Sequence, residues 1–309
     1  MSNNETVCVR PLAVRLKLAV AVATLVGFTA ASAHAAETTN RIAANRIAAN
    51  RIAANRIAAN RIAANRIAAN KISSNRLQAS PETADLLATA DGRELYSYMM
   101  SCALPTGKTI EATVPGAEDS SPPDTLYICK NERCVFSGSL GLAEHWIDRA
   151  LDSRGQRWVS ACLLARVNAY GVSVTISLRG IAPQLSVSPD EAETYSLQEG
   201  GFYGNIFSDP DGPLDWNACR GRDQAAGESA GLEMRDCAEP DPNDPSHTKC
   251  GFKYAGDCGD YIESLTQPRA CRSFDPEAGT YGECLAPQEY GRGPALKAYP
   301  EVITTYVKH

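Results

Sequence analysis

Asn217-Ala218-Cys219-Arg220-Gly221 holds a cysteine in the setting of a candidate nucleophile, and His145 is the upstream side chain that could take its proton. Glu144 and Asp148 stand one helical turn apart if residues 142–151 are helical, so they could face a cleft together as paired carboxylates. Asp209, Asp211 and Asp215 alternate around Gly212, a pattern that can wrap a hard cation such as Ca²⁺ with oxygen ligands. The EF-hand spacing is missing, because Pro213 would fill its fifth position and no Glu closes the loop at its twelfth. The ordinary alternative is a polar turn. Gly201-Phe202-Tyr203-Gly204-Asn205, with Trp216 nearby, could stack aromatic rings on a sugar or could staple a core beneath disulfide loops. No Gly-x-Ser-x-Gly elbow, phosphate-binding Gly-rich loop or His-Glu-x-x-His occurs. Of the later histidines, His247 lies in a Pro/Asp stretch and His309 is the last residue.

The elements that would position these residues sit in a chain of three unlike parts. The chain has 309 residues and a formal net charge of −6. Residues 1–35 carry +2, residues 36–80 carry +7 and residues 81–309 carry −15. The first part has a basic start, an uncharged apolar run over residues 18–31 and the small-x-small triplet Ala33-His34-Ala35. That pattern predicts a signal peptide cleaved after Ala35 and export out of the cytoplasm, to the periplasm or beyond. The apolar run is shorter than the roughly 20 residues of a spanning helix, so the exported chain is expected to be soluble, with no transmembrane segment.

Of 11 cysteines, Cys8 leaves with the signal. The others are Cys102, Cys129, Cys134, Cys162, Cys219, Cys237, Cys250, Cys258, Cys271 and Cys284. An even set in an exported chain reads as disulfides, with the pairing left open. No second Cys pair or His pair stands at zinc-ligand spacing.

From Asn40 the chain reads NRIAA six times, then NKISS and NRLQA. Five residues turn about 500° in an α-helix, so the Ile side chains would spiral and form no stripe. An odd period sends them to alternate faces of a strand. The period suits a square β-solenoid, and the tract resembles the pentapeptide-repeat family, with Asn at a place that family keeps small. A helix and a flexible stalk are the other forms open to it. In every form Arg41, Arg46, Arg51, Arg56, Arg61, Arg66, Lys71 and Arg76 make a row of cations. Such a row could bind an anionic surface polymer or lipid, or could only solvate a spacer. The tract has no aromatic residue, which disfavours stacking on nucleic acid.

In the acidic part, residues 82–101 read as a helix that Asp91-Gly92 could break, and residues 115–124 as a polar loop. LYICKNERCVF reads as a hairpin with Cys129 and Cys134 facing across it. Residues 142–151 and 156–170 read as helices, the second with Trp158, Val159, Cys162, Leu163, Val167 and Tyr170 on one apolar face. Residues 172–178, VSVTISL, read as a buried strand. Beyond Pro189 only short apolar pieces remain, at 202–207, 251–254 and 302–307. The expected fold is α+β and disulfide-rich. A mixed helix/strand core spans residues 81–208, and a loop-rich, cysteine-stapled part spans 209–309. The two could form one domain.

The pentad around Cys219 differs at one position from Gln-Ala-Cys-Arg-Gly and so resembles the caspases, which implies a nucleophilic Cys219. His145 lies farther upstream than the ~50 residues of that family, and Trp146 follows it in place of glycine. An even cysteine count also predicts that Cys219 is oxidised. ACRGRDQAAG, KCGFKYAGDCGD and ACRSF resemble secreted cysteine-rich bacterial proteins that carry short N-terminal repeats, a resemblance that implies no activity. The function expected is that of an exported, non-enzymatic binding or structural protein, without a cofactor, whose basic arm is a surface tether or spacer. The alternatives are a secreted hydrolase built around His145 and Glu144, and a Ca²⁺-stabilised adhesive module.

Overall fold

The computed structural model describes residues 36–40, 42–43, 81–122, 127–170, 174–208, 214–226, 235–259, 270–287 and 297–308. The protein is α+β with five disulfides. Apart from Asn40, Ile42 and Ala43, the pentad repeat lies outside the described residues, and so do all eight of its cationic side chains.

Strands β1 (Ala36–Asn40) and β2 (Ile42–Ala43) precede helices α1 (Pro81–Ala88) and α2 (Ala90–Ala103). The expected single helix is thus two, and the break falls at Thr89 rather than at Asp91-Gly92. Thr89 has an extended backbone and caps α2, its Oγ1 accepting from Gly92 N at 3.0 Å. A Cβ on Gly92 would stand 1.8 Å from Leu86 O, so the junction is tight enough to require glycine.

Strands β3 (Thr109–Thr113), β4 (Tyr127–Lys130) and β5 (Arg133–Ser137) form a small sheet in the order β3-β5-β4. The expected hairpin is β4–β5. Its turn residues Asn131 and Glu132 both have positive φ, 50° and 63°, as a right-twisted two-residue hairpin turn demands. Neither is glycine. Gly116 N donates to Glu132 Oε1 at 2.7 Å, Val114 N to Glu132 O at 2.7 Å, and Asn131 N to Asp119 Oδ1 at 2.9 Å. The preceding loop therefore holds the turn in place.

The helix expected over residues 142–151 is not formed; only a single 3₁₀ turn, Glu144–Ile147, is present. The reason lies in the neighbouring helix. The amides of Ser139, Leu140, Gly141, Leu142 and Ala143 bond to the carbonyls of Ser101–Leu104 at the C-terminal end of α2, so the segment is drawn out as its cap. Helix α3 (Ser153–Ala165) starts three residues earlier than expected because Asp152 caps it, accepting from Gly155 N at 2.8 Å. It also ends five residues earlier. Val167–Asn168 is strand β6, paired in parallel with β2. Tyr170, expected on the apolar face, is 47% exposed and donates its hydroxyl proton to Asp236.

The remaining elements are β7 (Val174–Arg179), α4 (Pro189–Thr194), β8 (Leu197–Gly204), β9 (Trp216–Arg220), α5 (Arg222–Ala226), β10 (Pro240–Asp241), β11 (Asp244–Thr248), β12 (Lys253–Asp257), β13 (Cys271–Asp275), β14 (Thr280–Leu285), β15 (Ala298–Tyr299) and β16 (Ile303–Val307). The main sheet runs β1-β7-β16-β8-β9-β12-β11-β10. Only β12 with β9 is a parallel pair in it. The last strand, β16, lies between β7 and β8, so residues on both sides of position 208 share one sheet.

Strand β8 is buried at all eight positions. Helix α3 packs against β8, β16 and α2. Phe202, Ala218, Trp216 and Ile303 belong to the large core that includes α3. Tyr203, Cys219 and Val302 belong to a second core with Cys258, Cys271, Tyr281, Cys284 and Tyr299. Alternation along β8 and β9, and from Val302 to Ile303 where β16 begins, thus feeds two cores from one sheet.

Every cysteine after residue 35 is paired. The bridges are Cys102–Cys162, Cys129–Cys134, Cys219–Cys258, Cys237–Cys250 and Cys271–Cys284. The first joins α2 to α3, the second crosses the β4–β5 hairpin and the last crosses β13–β14.

Candidate functional site

Asp215 gathers the densest polar cluster that includes an expected site residue. It enters through β9, whose first residue follows it. Its Oδ2 receives Lys297 Nζ, and its Oδ1 receives the Tyr299 hydroxyl and, at 3.3 Å, Asn217 Nδ2. Its own carbonyl accepts from Asn205 N at 2.8 Å. A Cβ on Gly204 would stand 2.1 Å from that carbonyl, so glycine lets the two strands close here. Tyr299 packs on Tyr203 with ring centroids 5.6 Å apart, and Tyr203 donates to Leu285 O at 2.7 Å. Burial, and then the bond to Asp215, pushes the Tyr299 phenol well above its ordinary value.

Both Asp215 oxygens are therefore occupied by donors, one of them a cation. A Ca²⁺ ion at this carboxylate would have to displace Lys297, which the three-aspartate expectation did not foresee. Asp209 and Asp211 lie outside the described residues. Lys297 and Tyr299 were not legible as partners, being far from Asp215 in sequence.

His145 and Glu144 sit on the 3₁₀ turn. His145 Nε2 is 3.5 Å from Asp152 Oδ1, and no hydrogen bond to it is formed among the described residues. The Asp152 carboxylate is at the same time the cap of α3. The imidazole lies over Gly155, where a Cβ would stand 3.0 Å from Cε1. Glu144 and Asp148 are both exposed, and the 3₁₀ turn does not continue as a helix that would set them on one face. Asp152 is the nearby acidic side chain, and nothing in the sequence reading singled it out.

Cys219 is bonded to Cys258 and fully buried, so it offers no thiolate. The distance in sequence to His145 is not closed by any contact described. Phe202, Tyr203 and Trp216 are buried, which makes them core rather than a sugar platform. Phe202 meets Phe252 edge to face at 6.2 Å.

Arg93, Arg166, Arg179 and Arg235 are buried cations that were not expected, and two of them bear on α3. Arg235 pairs with Glu199 across the sheet–helix boundary, and Arg235 Nη2 donates to Ala165 O at 2.7 Å. Arg166 follows α3, donates to Ser101 Oγ at 2.9 Å and lies 4.8 Å from the centre of the Tyr98 ring. Burial pushes its guanidinium down to about 10.

The sulfurs of Cys219, Cys258 and Cys271 lie within 4.8 Å of one another. Their closeness follows from two disulfides packed side by side, so in the oxidised protein they present no thiolate to a metal. No family model, curated protein or solved structure matches the chain. No helix among the described residues is long and apolar enough to cross a membrane.

Proposed function

We propose that this is an exported, non-enzymatic binding or structural module, held together by disulfides and carried on a basic repeat arm that tethers or spaces it. The observation that carries this reading is that all ten cysteines after residue 35 are consumed in five disulfides. Such a set belongs to an oxidising compartment outside the cytoplasm. The side chains with catalytic or metal-binding potential support the same reading. Cys219 is locked in a bridge, Asp215 is held by Lys297 and Tyr299, and Asp152 caps a helix.

The arm contributes +7 against −15 for residues 81–309. That asymmetry supports attachment of the arm to an anionic surface, with the acidic module held away from it. Deletion of residues 40–79 should release the protein from the cell surface, and added salt should release the intact protein in a graded way. Retention unchanged by both treatments overturns the tether. Free-thiol titration of the unfolded mature protein should find none of the ten cysteines reactive, and several reactive thiols would overturn export to an oxidising compartment.

A further inference from the structure

Two of the five bridges touch. Cys219 Sγ lies 3.6 Å from Cys271 Sγ, while Cys219 is bonded to Cys258 and Cys271 to Cys284. Neither sulfur carries a proton, so this is a van der Waals contact. Backbone bonds fix it. Cys258 N donates to Arg220 O at 2.8 Å and Cys271 N to Cys258 O at 3.0 Å. Gly201 makes room, because a Cβ there would stand 3.0 Å from Cys219 Sγ and 3.3 Å from Cys258 Sγ. The whole group is buried against Tyr203, Tyr281 and Tyr299.

A thiolate exchanges with a disulfide by attacking one of its sulfurs, and a preformed contact removes most of the cost of the encounter. We propose that these two bridges form an exchange pair, through which an external dithiol that opens one of them rearranges both. The dithiol reduces Cys219–Cys258, supplies two electrons and departs as its own disulfide. The Cys219 thiolate then attacks Cys271 Sγ. A Cys219–Cys271 bond forms, the Cys271–Cys284 bond breaks, and Cys284 leaves with the electron pair and takes up a proton. The product has thiols on Cys258 and Cys284 and ties β9 directly to β13. The substrate class is a dithiol reductant of the exported compartment, and the device is a redox-dependent change in which strands are joined.

A Cys258→Ser variant tests the exchange without any reductant, since it leaves Cys219 as a lone thiol against Cys271. The full chain would be held at mildly alkaline pH, quenched, alkylated with N-ethylmaleimide and peptide-mapped unreduced. The expected result is a Cys219–Cys271 linked peptide with alkylated Cys284 in about a tenth of molecules or more. Alkylation confined to Cys219, with Cys271–Cys284 intact, overturns the proposal. A Cys134→Ser control leaves Cys129 free far from the pair and should yield no such link. Should Cys258→Ser not fold, the native chain treated with substoichiometric dithiothreitol decides. The Cys219–Cys271 peptide, with Cys258 and Cys284 alkylated, supports exchange. Alkylation only of whole native pairs overturns it.

Discussion

Arg235 and Glu199 form an ion pair sealed from solvent: Nε donates to Oε2 at 2.8 Å, and both side chains are 0% exposed. The position of Glu199 comes from a bulge. Thr305 pairs with Gly200 and Tyr306 with Gln198, so the register steps past Glu199. Thr305 Oγ1 adds a second donor at 2.7 Å, yet Glu199 Oε1 and Arg235 Nη1 make no hydrogen bond among the described residues. Removing one partner therefore strands a buried charge. Glu199→Ala is expected to cost about 3–5 kcal/mol, read as a lower urea midpoint, whereas Glu199→Met with Arg235→Leu should cost far less than the single change. A single-variant loss below about 1 kcal/mol would show that the pair is not sealed.

The five bridges should not be equal in value. Cys102–Cys162 closes a sequence separation of 60, and Cys129–Cys134 one of 5. In the loop-entropy account these restrict the unfolded chain by about 4 and about 2 kcal/mol. The short bridge also spans a turn already held by Gly116, Val114 and Asp119. Replacing Cys102 and Cys162 with Ala should lower stability roughly twice as much as replacing Cys129 and Cys134. Equal losses in denaturant unfolding would favour native-state strain over chain entropy.

What the sequence disclosed depended on whether the cause was local. Cys129 and Cys134 flank a short polar run between β-formers, so the hairpin that sets them face to face was readable, while their pairing came only from the fold. VSVTISL was readable as strand β7 for the same reason. Residues 142–151 misled because their apolar spacing fits a helix, while their amides are committed to the distant end of α2. Gly200 and Gly201 lie in a fully buried strand. A Cβ at Gly200 would stand 2.4 Å from Cys219 O, so close strand approach is what requires glycine there. At the candidate sites, the residue types were visible and their partners were not: Lys297 and Tyr299 reach Asp215 only through the fold.

The last strand gives the sharpest test of that non-locality. Residues 302–307 look like a short apolar tail, yet β16 joins β7 to β8 and brings Thr304 to Tyr281 N at 2.9 Å. Glu301, beside it, holds Arg157 of α3, with Arg157 Nη2 donating to Oε1 at 3.1 Å. Deleting residues 302–309 should split the sheet and expose both cores. Loss of cooperative unfolding and dye binding to exposed apolar surface are the expected readouts. A truncated chain that keeps a sharp transition would place β16 at the periphery.

Alkaline pH should unfold the protein through its tyrosines. Tyr96 is fully buried, and burial pushes its phenol well above the ordinary value near 10. Burial does the same to Tyr203, aided by the Asp215 charge, and to Tyr299. Tyr254, less enclosed, is pushed up to about 12. In the unfolded chain all of these lose their protons near pH 10. Above that value the unfolded state binds fewer protons than the native state, so stability falls as pH rises. Each tyrosine held neutral takes away about 1.4 kcal/mol per pH unit, and the contribution of Tyr254 levels off near 12. Stability should therefore be flat up to about pH 10 and fall steeply beyond it. A spectrophotometric titration should show part of the 12 tyrosines ionising in the native protein and the rest only in step with unfolding. All 12 ionising together near pH 10 in the folded state would contradict the burial of Tyr96, Tyr203 and Tyr299.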